Sequence, residues 1–281
     1  MSSLKFGGFI LVTVLSLSGQ ARAAERLDDR AEIIKAIEIR VRAGQALKVH
    51  AIVALCDNEH QGIVPVPARL GNGDDPDNNL YWGALYGLRT HFKKSRGWKL
   101  ISQTRHKEGP ILESAVFKGR FKKNTVYLVA DAYRGRLIKN AMQDFLKYAA
   151  GQEVRQVKIE GRQRKFGAAA GLVAFVGHDG LMDMKLDKYP KWKEGSGRRD
   201  IIILACISKE YFKEAIARAG AYPLVWSTGL MAAEAYPLRA AIEGWALNET
   251  ANQVRLRAAE AYAKYQKCPL KAARGLLVTG W

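Results

Sequence analysis

Cysteine and proline are scarce in this chain, which has three cysteines and eight prolines among its 281 residues. Three cysteines are too few to cross-link a chain of this length, so the sequence is not that of a disulfide scaffold. A hydrophobic fraction of 48% and an aromatic fraction of 9% exclude a disordered or collagen-like chain. The composition therefore predicts a globular protein with a substantial core, in one large or two modest domains.

Several familiar ligand-binding motifs are absent as well. No G-x-G-x-x-G or Walker A sequence follows a strand pattern, and Ser227 lacks the G-x-S-x-G surroundings of a serine hydrolase nucleophile. The acidic loop with Asp74, Asp75 and Asp77 does not match an EF-hand, so we assign no metal and expect no cofactor. Zinc-finger spacing, RNP-type motifs and basic zippers are missing, so dedicated nucleic-acid binding is not expected.

The N-terminal residues have the pattern of a secretory signal. Lys5 precedes the apolar run 8–17, and the A-R-A sequence at 21–23 has the form of a cleavage site. The run is shorter than the roughly 20 residues that a membrane-spanning helix needs, which favours cleavage over an uncleaved anchor. We expect residues 1–23 to be a signal peptide and residues 24–281 to form a single exported domain. No transmembrane segment is expected after cleavage, and the location is periplasmic or fully secreted in a bacterium.

Acidic residues are outnumbered by basic ones. The chain has 27 Asp and Glu against 45 Lys and Arg, a formal charge of +18. The basic residues are scattered, with short runs at 93–96, 120–123, 162–165 and 198–199. Because an exported basic protein first meets anionic envelope polymers and lipids, an anionic envelope surface is a candidate partner, although charge alone does not distinguish among polyanions.

Apolar β-rich runs alternate with helical patterns along the chain. Helical spacing occurs over 25–42, 80–92, 136–150, 209–219, 236–247 and 251–265. Strand patterns occur over 49–56, 98–103, 111–117, 125–130, 172–176, 201–205 and 224–226. Continuous apolar strands with helices between them are typical of a mainly parallel sheet covered on both faces. We predict a three-layer α/β/α sandwich with helices at both ends of the chain, in which ligands bind beyond the carboxyl ends of the strands.

Two of these strand ends carry reactive side chains. One apolar run leads into Gly-His-Asp-Gly, which contains His178, and another ends on Cys206. If the two strands are parallel neighbours, His178 and Cys206 emerge at the same edge of the sheet. A thiol beside a histidine forms a nucleophile with its base, because a nearby imidazolium favours the reactive thiolate. Either residue alone is more often a buried or structural one, so the pairing is what predicts a site.

This order of motifs resembles the caspase-like (clan CD type) cysteine peptidases, which include caspases, legumain, gingipains, clostripain and separase. In that group one parallel strand ends in a block of hydrophobic residues followed by His-Gly, and the next ends in a hydrophobic block followed by Ala-Cys. Residues 176–178 (V-G-H) and 204–206 (L-A-C) match by residue and order. The resemblance implies a caspase-like fold, Cys206 as the nucleophile and His178 as the general acid and base.

The resemblance also implies an oxyanion hole near the histidine. The family has glycine directly after histidine, whereas here Asp179 intervenes and Gly180 comes second. We expect backbone N–H groups near Gly177, Gly180 and Cys206 to stabilise the oxyanion. Asp179 either orients the imidazole or is a solvent-facing turn residue.

The same resemblance implies that the strand after the cysteine lines the substrate pocket. Trp226, Ser227 and Thr228 would then lie near the side chain that precedes the scissile bond. Outside this region, Cys56 and Cys268 could form a disulfide in an oxidising compartment, with simple burial of Cys56 as the alternative.

These observations lead to two hypotheses about function. The first is an exported cysteine hydrolase, in the first instance a peptidase acting on a peptide or protein substrate, although a thiol amidase or transpeptidase would use the same residues. The second is a noncatalytic protein on the same fold that binds an envelope peptide or polyanion. Loss of activity on replacing Cys206 distinguishes the first from the second.

Overall fold

The computed structural model describes residues 30–281, and the predicted signal peptide at 1–23 lies outside them. Within this range the strands are β1 Leu47–Ala54, β2 Trp98–Arg105, β3 Ile111–Phe121, β4 Asn124–Tyr133, β5 Val154–Ile159, β6 Arg162–Gly167, β7 Leu172–Val176, β8 Asp200–Leu204, β9 Tyr222–Ser227 and β10 Leu277–Val278. The α-helices are α1 Ala31–Arg42, α2 Leu88–Lys94, α3 Ile138–Ala149, α4 Ser208–Ala219, α5 Ala235–Ala246, α6 Ala251–Gln266 and α7 Leu270–Leu276.

Eight strands form one sheet in the order β10-β9-β8-β7-β1-β4-β3-β2, and β5 pairs with β6 in a separate hairpin. The five central strands β9, β8, β7, β1 and β4 run parallel to one another. Antiparallel pairing occurs towards the two edges, where β3 and β2 extend one side and β10 closes the other. The predicted α/β class with a mainly parallel sheet is therefore confirmed, with a mixed sheet in detail.

Apolar cores lie on both faces of this sheet, because successive side chains of a strand point to opposite faces. On β1, Val49, Ala51 and Val53 pack in the core that includes α1, α2, α5 and α6. Ile52 and Ala54 pack in the other core, with α3 and α4. Helices thus cover both faces, which is compatible with a three-layer sandwich. Among residues 30–281, no helix combines the length and the apolar character needed to cross a bilayer.

One predicted helix is wrong in part. The spacing over 80–92 predicts a single helix, but the chain forms turns until α2 begins at Leu88. A Cβ on Gly83 would lie 2.1 Å from a backbone oxygen, so this glycine is held against neighbouring backbone rather than in a helix. The buried side chain of Asn79 accepts the Cys56 N–H at 3.0 Å and donates to the Cys56 C=O at 2.8 Å. This segment therefore packs against the carboxyl end of β1.

Candidate functional site

The sheet brings His178 and Cys206 to one place. Strands β7 and β8 are parallel neighbours, and their register pairs Val176 with Leu204. His178 and Cys206 each follow two residues later, just beyond the carboxyl edge of the sheet. Both side chains line a cleft of about 420 Å³. The two residues that the sequence singled out are therefore components of one surface.

The thiol of Cys206 faces the backbone of Met231. The Met231 N–H donates to Sγ at 3.4 Å, and the thiol lies 3.6 Å from the Met231 carbonyl oxygen. Within the described residues no hydrogen bond joins Sγ to His178, although both line the cleft. Helix α4 begins two residues after Cys206. An N–H donor and the positive end of a helix both stabilise negative charge on sulfur.

A strained turn holds the cysteine out of the sheet. Ile207, the next residue, has φ of 48°, a left-handed conformation that is an outlier for a β-branched side chain. Its N–H donates to the carbonyl of Gly229 at 2.9 Å, which fixes the turn against the segment after β9. A sharp turn between a strand and a helix exposes the side chain at its tip. Strain of this kind is concentrated at functional sites.

A carboxylate orients the histidine, and it belongs to Asp183. His178 Nε2 lies 2.6 Å from Asp183 Oδ2, which also accepts the Gly62 N–H at 3.0 Å. A Cβ on Gly62 would lie 2.5 Å from Asp183 Oδ1, so this approach requires glycine. Asp183 therefore joins the histidine loop to the loop after β1. Sequence reasoning missed Asp183; the only available signal was an acid five residues after the histidine.

The environment of Asp179 matches neither of the two roles that the sequence predicted for it. Its side chain is fully buried, and Oδ1 accepts the Leu181 N–H at 3.0 Å. Oδ2 has no hydrogen-bond partner. Burial raises the pKa of Asp179 from 3.8 to about 7, and the charge of Asp183 adds to the increase. The carboxylate on the imidazole is thus that of Asp183, while Asp179 is neither its partner nor a solvent-facing turn residue.

The predicted oxyanion donors are only partly placed for that role. Gly177 lines the cleft, but its N–H donates to Leu204 O at 3.1 Å. Gly180 begins a 3-10 turn, and a Cβ there would lie 2.8 Å from Met142 Cε. Within residues 30–281 the N–H groups of His178 and Cys206 make no internal hydrogen bond, and both residues line the cleft.

The predicted substrate residues after β8 have structural roles instead. Trp226 is fully buried in the core beside α4. The Ser227 hydroxyl donates to Ala205 O and accepts the N–H of Ser208, which ties β9 to the turn that carries the cysteine. Thr228 is exposed, and its N–H donates to a carbonyl of α7 at 2.9 Å. None of the three lines the cleft, whose wall is formed by the following segment, 230–232.

The remainder of the cleft is apolar or aromatic. In addition to its glycines, histidine and cysteine, the lining consists of Ile63, Val64, Tyr81, Met182, Leu230, Met231, Ala232 and Tyr262. Val64 and Leu230 are 88% and 73% exposed. Among the described residues no Asp, Glu, Lys or Arg lines it. Removing exposed apolar surface from water lowers the free energy, so the cleft is suited to bind an apolar group.

The other two cysteines do not form the predicted disulfide. All three cysteines are free thiols, which corrects the pairing of Cys56 with Cys268. Cys56 is fully buried at the end of β1, as in the alternative of simple burial. Burial raises the pKa of the Cys56 thiol to about 11, with a smaller contribution from Asp57. Cys268 is partly exposed after α6.

The acidic loop is neutralised by arginines. Asp74 lies 2.6 Å from Arg134 and also contacts Arg136, and Asp77 lies 2.5 Å from Arg105. Two of the three acids thus pair with arginines, whereas Asp75 accepts hydrogen bonds from the Asp77 N–H and the Asn78 side chain at 2.9 and 2.6 Å. Within residues 30–281 no group of three or more His, Cys, Asp or Glu is arranged to hold a metal ion.

The site thus combines a free thiol on a strained turn, an imidazole held by a carboxylate and an apolar cleft beside both. These parts are those of nucleophilic attack by sulfur with proton transfer by histidine. No protein-family model matches the sequence, and no curated protein or solved structure matches it significantly.

Proposed function

We propose that this protein is a cysteine hydrolase of the caspase-like type, and in the first instance a peptidase. The observation that carries the proposal is the placement of His178 and Cys206 two residues beyond paired positions of neighbouring parallel strands, on one cleft. The order of the motifs adds support, because β7 precedes β8 in the chain and the two end in Gly-His and Ala-Cys.

The proposed reaction uses sulfur as the nucleophile. The Cys206 thiolate attacks the carbonyl carbon of the scissile bond, so an S–C bond forms and negative charge moves to oxygen. When the C–N bond breaks, the protonated His178 gives its proton to the leaving amine and a thioester remains. Water then attacks the thioester and yields a proton to His178, the S–C bond breaks, and the carboxylic acid and free enzyme are restored.

Neighbouring groups support each step. The Met231 N–H and the start of α4 stabilise the thiolate, and the free N–H groups of His178 and Cys206 are the candidate oxyanion donors. Asp183 is a positioning residue that holds the imidazole at one ring nitrogen. The other ring nitrogen is then free to exchange a proton with the substrate.

The cleft also favours a class of substrate side chain. Its walls carry Val64, Leu230 and Met231 and, within the described residues, no Asp, Glu, Lys or Arg. A charged side chain would lose hydration there without gaining an ion pair. Binding of an apolar side chain would instead be favoured by about 25 cal/mol for each Å² of apolar surface that it buries. We therefore expect cleavage beside leucine, methionine or phenylalanine rather than beside aspartate or arginine.

Export is part of the same proposal, because of the signal-like pattern at 1–23. N-terminal sequencing of the protein recovered from the producing cells tests it. A mature N-terminus at residue 24 supports export to the periplasm or medium, and an intact Met1 in the recovered protein contradicts it.

A peptide-library digest read by mass spectrometry tests the proposed activity. We expect cleavage beside apolar residues, and a loss of at least about 1,000-fold in rate for Cys206→Ala and for Cys206→Ser. Cys268→Ala is the matched control, since it removes another partly exposed thiol and should leave the rate unchanged. Cleavage that survives Cys206→Ala contradicts the proposal. Peptide binding without any cleavage by the unmodified protein favours the noncatalytic alternative.

A further inference from the structure

The amino ends of the central strands, opposite the candidate active site, form a basic surface. A small pocket lies there against α1, where β1, β7 and β8 begin. Three cations, Arg40, Lys48 and Arg198, line this pocket. Its remaining walls are mainly apolar and include Ile33, Ile37, Leu47 and Trp245. Among the described residues no Asp or Glu lines it.

Further positive charge surrounds Lys48 from the β5–β6 hairpin. Lys48 Nζ lies 5.9 Å from the centre of the Phe166 ring, which brings β6 against β1. Arg164 and Lys165 are the two residues before Phe166. Their positive charges, together with that of Arg40, repel the charge of Lys48. Burial lowers the pKa of Lys48, and these three like charges lower it further. Within residues 30–281 neither Lys48 nor Arg40 forms an ion pair.

The acid at the turn of this hairpin, Glu160, interacts with Arg164 but not with Lys48. Glu160, at the hairpin turn, is held by Lys118 Nζ at 2.8 Å and by the Tyr127 hydroxyl at 2.6 Å. Arg164 stacks on the Tyr127 ring at 4.8 Å, and its buried Nε lacks a hydrogen-bond partner. Of the three cations that surround Lys48, Arg164 is partly offset by Glu160, whereas Arg40 and Lys165 form no ion pair within residues 30–281.

We propose that this pocket is a binding site for a phosphate group, with Lys48 and Arg40 contacting the phosphate oxygens. Arginine and lysine together supply the donors that phosphate recognition uses, and a bound anion removes the repulsion among the cations. The enclosed volume of about 30 Å³ is that of one or two water molecules, so the phosphate group lies at the mouth of the pocket. The source of the group is either free phosphate or the headgroup of an anionic phospholipid.

Titration of the full-length mature protein with inorganic phosphate, followed by calorimetry and thermal melting, tests the site. Sodium chloride at equal ionic strength corrects for screening. We expect saturable binding and a rise in Tm with phosphate, and affinity at least about tenfold weaker in Lys48→Gln and in Arg40→Gln. The control Lys93→Gln/Lys94→Gln removes two exposed charges from α2 and should bind phosphate normally.

Vesicle sedimentation separates the two sources of phosphate. Binding to phosphatidylglycerol vesicles but not to phosphatidylcholine vesicles, with competition by free phosphate, assigns the lipid headgroup. Saturable phosphate binding without vesicle binding assigns a soluble ligand. The proposal is overturned if neither phosphate nor anionic vesicles bind saturably, or if Lys48→Gln, Arg40→Gln and the α2 control weaken binding equally. In phosphate-free buffer Lys48→Gln should melt no lower than the unmodified protein, so a failure to fold would be evident.

Discussion

Two carboxylates that lie four residues apart in the histidine loop have different roles. Asp183 reaches His178 Nε2 at 2.6 Å and the Gly62 N–H at 3.0 Å, so it joins two loops at the cleft. Asp179 is fully buried and makes one hydrogen bond, which leaves half of its carboxyl group unpartnered. A buried carboxyl group with so little stabilisation favours its neutral form.

Asp179→Asn is therefore expected to stabilise the protein at high pH. The folded-state pKa of Asp179 is raised from 3.8 to about 7, so between these values the folded chain holds a proton that the unfolded chain has lost. The stabilisation that this bound proton provides is complete below pH 4, decreases as pH rises towards 7, and is absent above pH 7. Asparagine stays neutral, so the variant gains on the order of 2–4 kcal/mol over the unmodified protein from pH 4 to pH 8.

Urea unfolding at pH 4, 6 and 8 measures this difference. Asp187→Asn serves as the control, because Asp187 is an exposed partner of Lys139 and its replacement should give a nearly constant offset. If Asp179→Asn also differs from the unmodified protein by the same amount at every pH, Asp179 is ionised in the folded state and our account of it is wrong.

At the scale of elements, the turn between β8 and α4 determines how Cys206 is presented. Ile207 stores strain at φ of 48°, and Ser227 ties the turn to β9 through Ala205 and Ser208. The sequence located this turn, because β8 is a continuous apolar run, but it could not reveal the left-handed residue. Isoleucine is among the residues least expected there.

Ile207→Gly and Ile207→Ala separate strain from side-chain packing. Both remove the same branched side chain, but only glycine adopts a positive φ without steric conflict. We expect the glycine variant to exceed the alanine variant in free energy of unfolding by about 1 kcal/mol. Chemical denaturation of the two variants gives the comparison. An alanine variant as stable as the glycine variant would mean that the turn is not strained.

Elements with continuous apolar runs could be predicted from the sequence, and others could not. Strand β7 was placed at its observed bounds, Leu172–Val176, because every residue in it is apolar and buried. The sequence does not predict strands β5 and β6, because most of their residues are polar or charged and only Ile159 and Phe166 reach a fully apolar environment. Helix α7 was missed because its seven residues contain a glycine and two charges.

The same limit applies to the candidate site. His178 and Cys206 could be identified because they follow apolar strands directly. Asp183 and the 230–232 segment could not, since their positions depend on turns whose geometry the sequence does not specify. Apolar side chains in loops, such as Val64, gave no signal that they face the cleft.

At the scale of the whole molecule, the two edges of the sheet differ in character. The carboxyl edge has the apolar cleft, and the amino edge has the cationic pocket around Lys48. The amino edge also contains a buried ion pair, in which Arg30 Nε and Nη2 each lie 2.7 Å from an oxygen of Asp200. Trp245 Nε1 donates to the same carboxylate at 2.9 Å. This cluster joins the start of α1 to β8 and α5.

Replacing Asp200 by Asn should weaken the whole fold. It leaves the buried Arg30 guanidinium without its partner, and breaking a buried pair costs about 3–5 kcal/mol. The double variant Arg30→Met/Asp200→Asn should lose less than Asp200→Asn alone, because it removes the unpaired charge. Arg42→Gln, in an exposed pair with Glu38, is the control and should cost less than about 1 kcal/mol. A loss below 1 kcal/mol for Asp200→Asn in urea unfolding would show that the pair does not connect these elements.

The most direct test of the central claim is the alkylation rate of Cys206 relative to Cys268, measured on one sample by peptide mass spectrometry at pH 6.5. Both thiols are partly exposed, so Cys268 is an internal standard for access. If Cys206 is a nucleophile activated by His178, iodoacetamide modifies it at least about tenfold faster than Cys268, and His178→Ala removes the difference. Equal rates for the two thiols, or a fast Cys206 that does not respond to His178→Ala, would contradict the account.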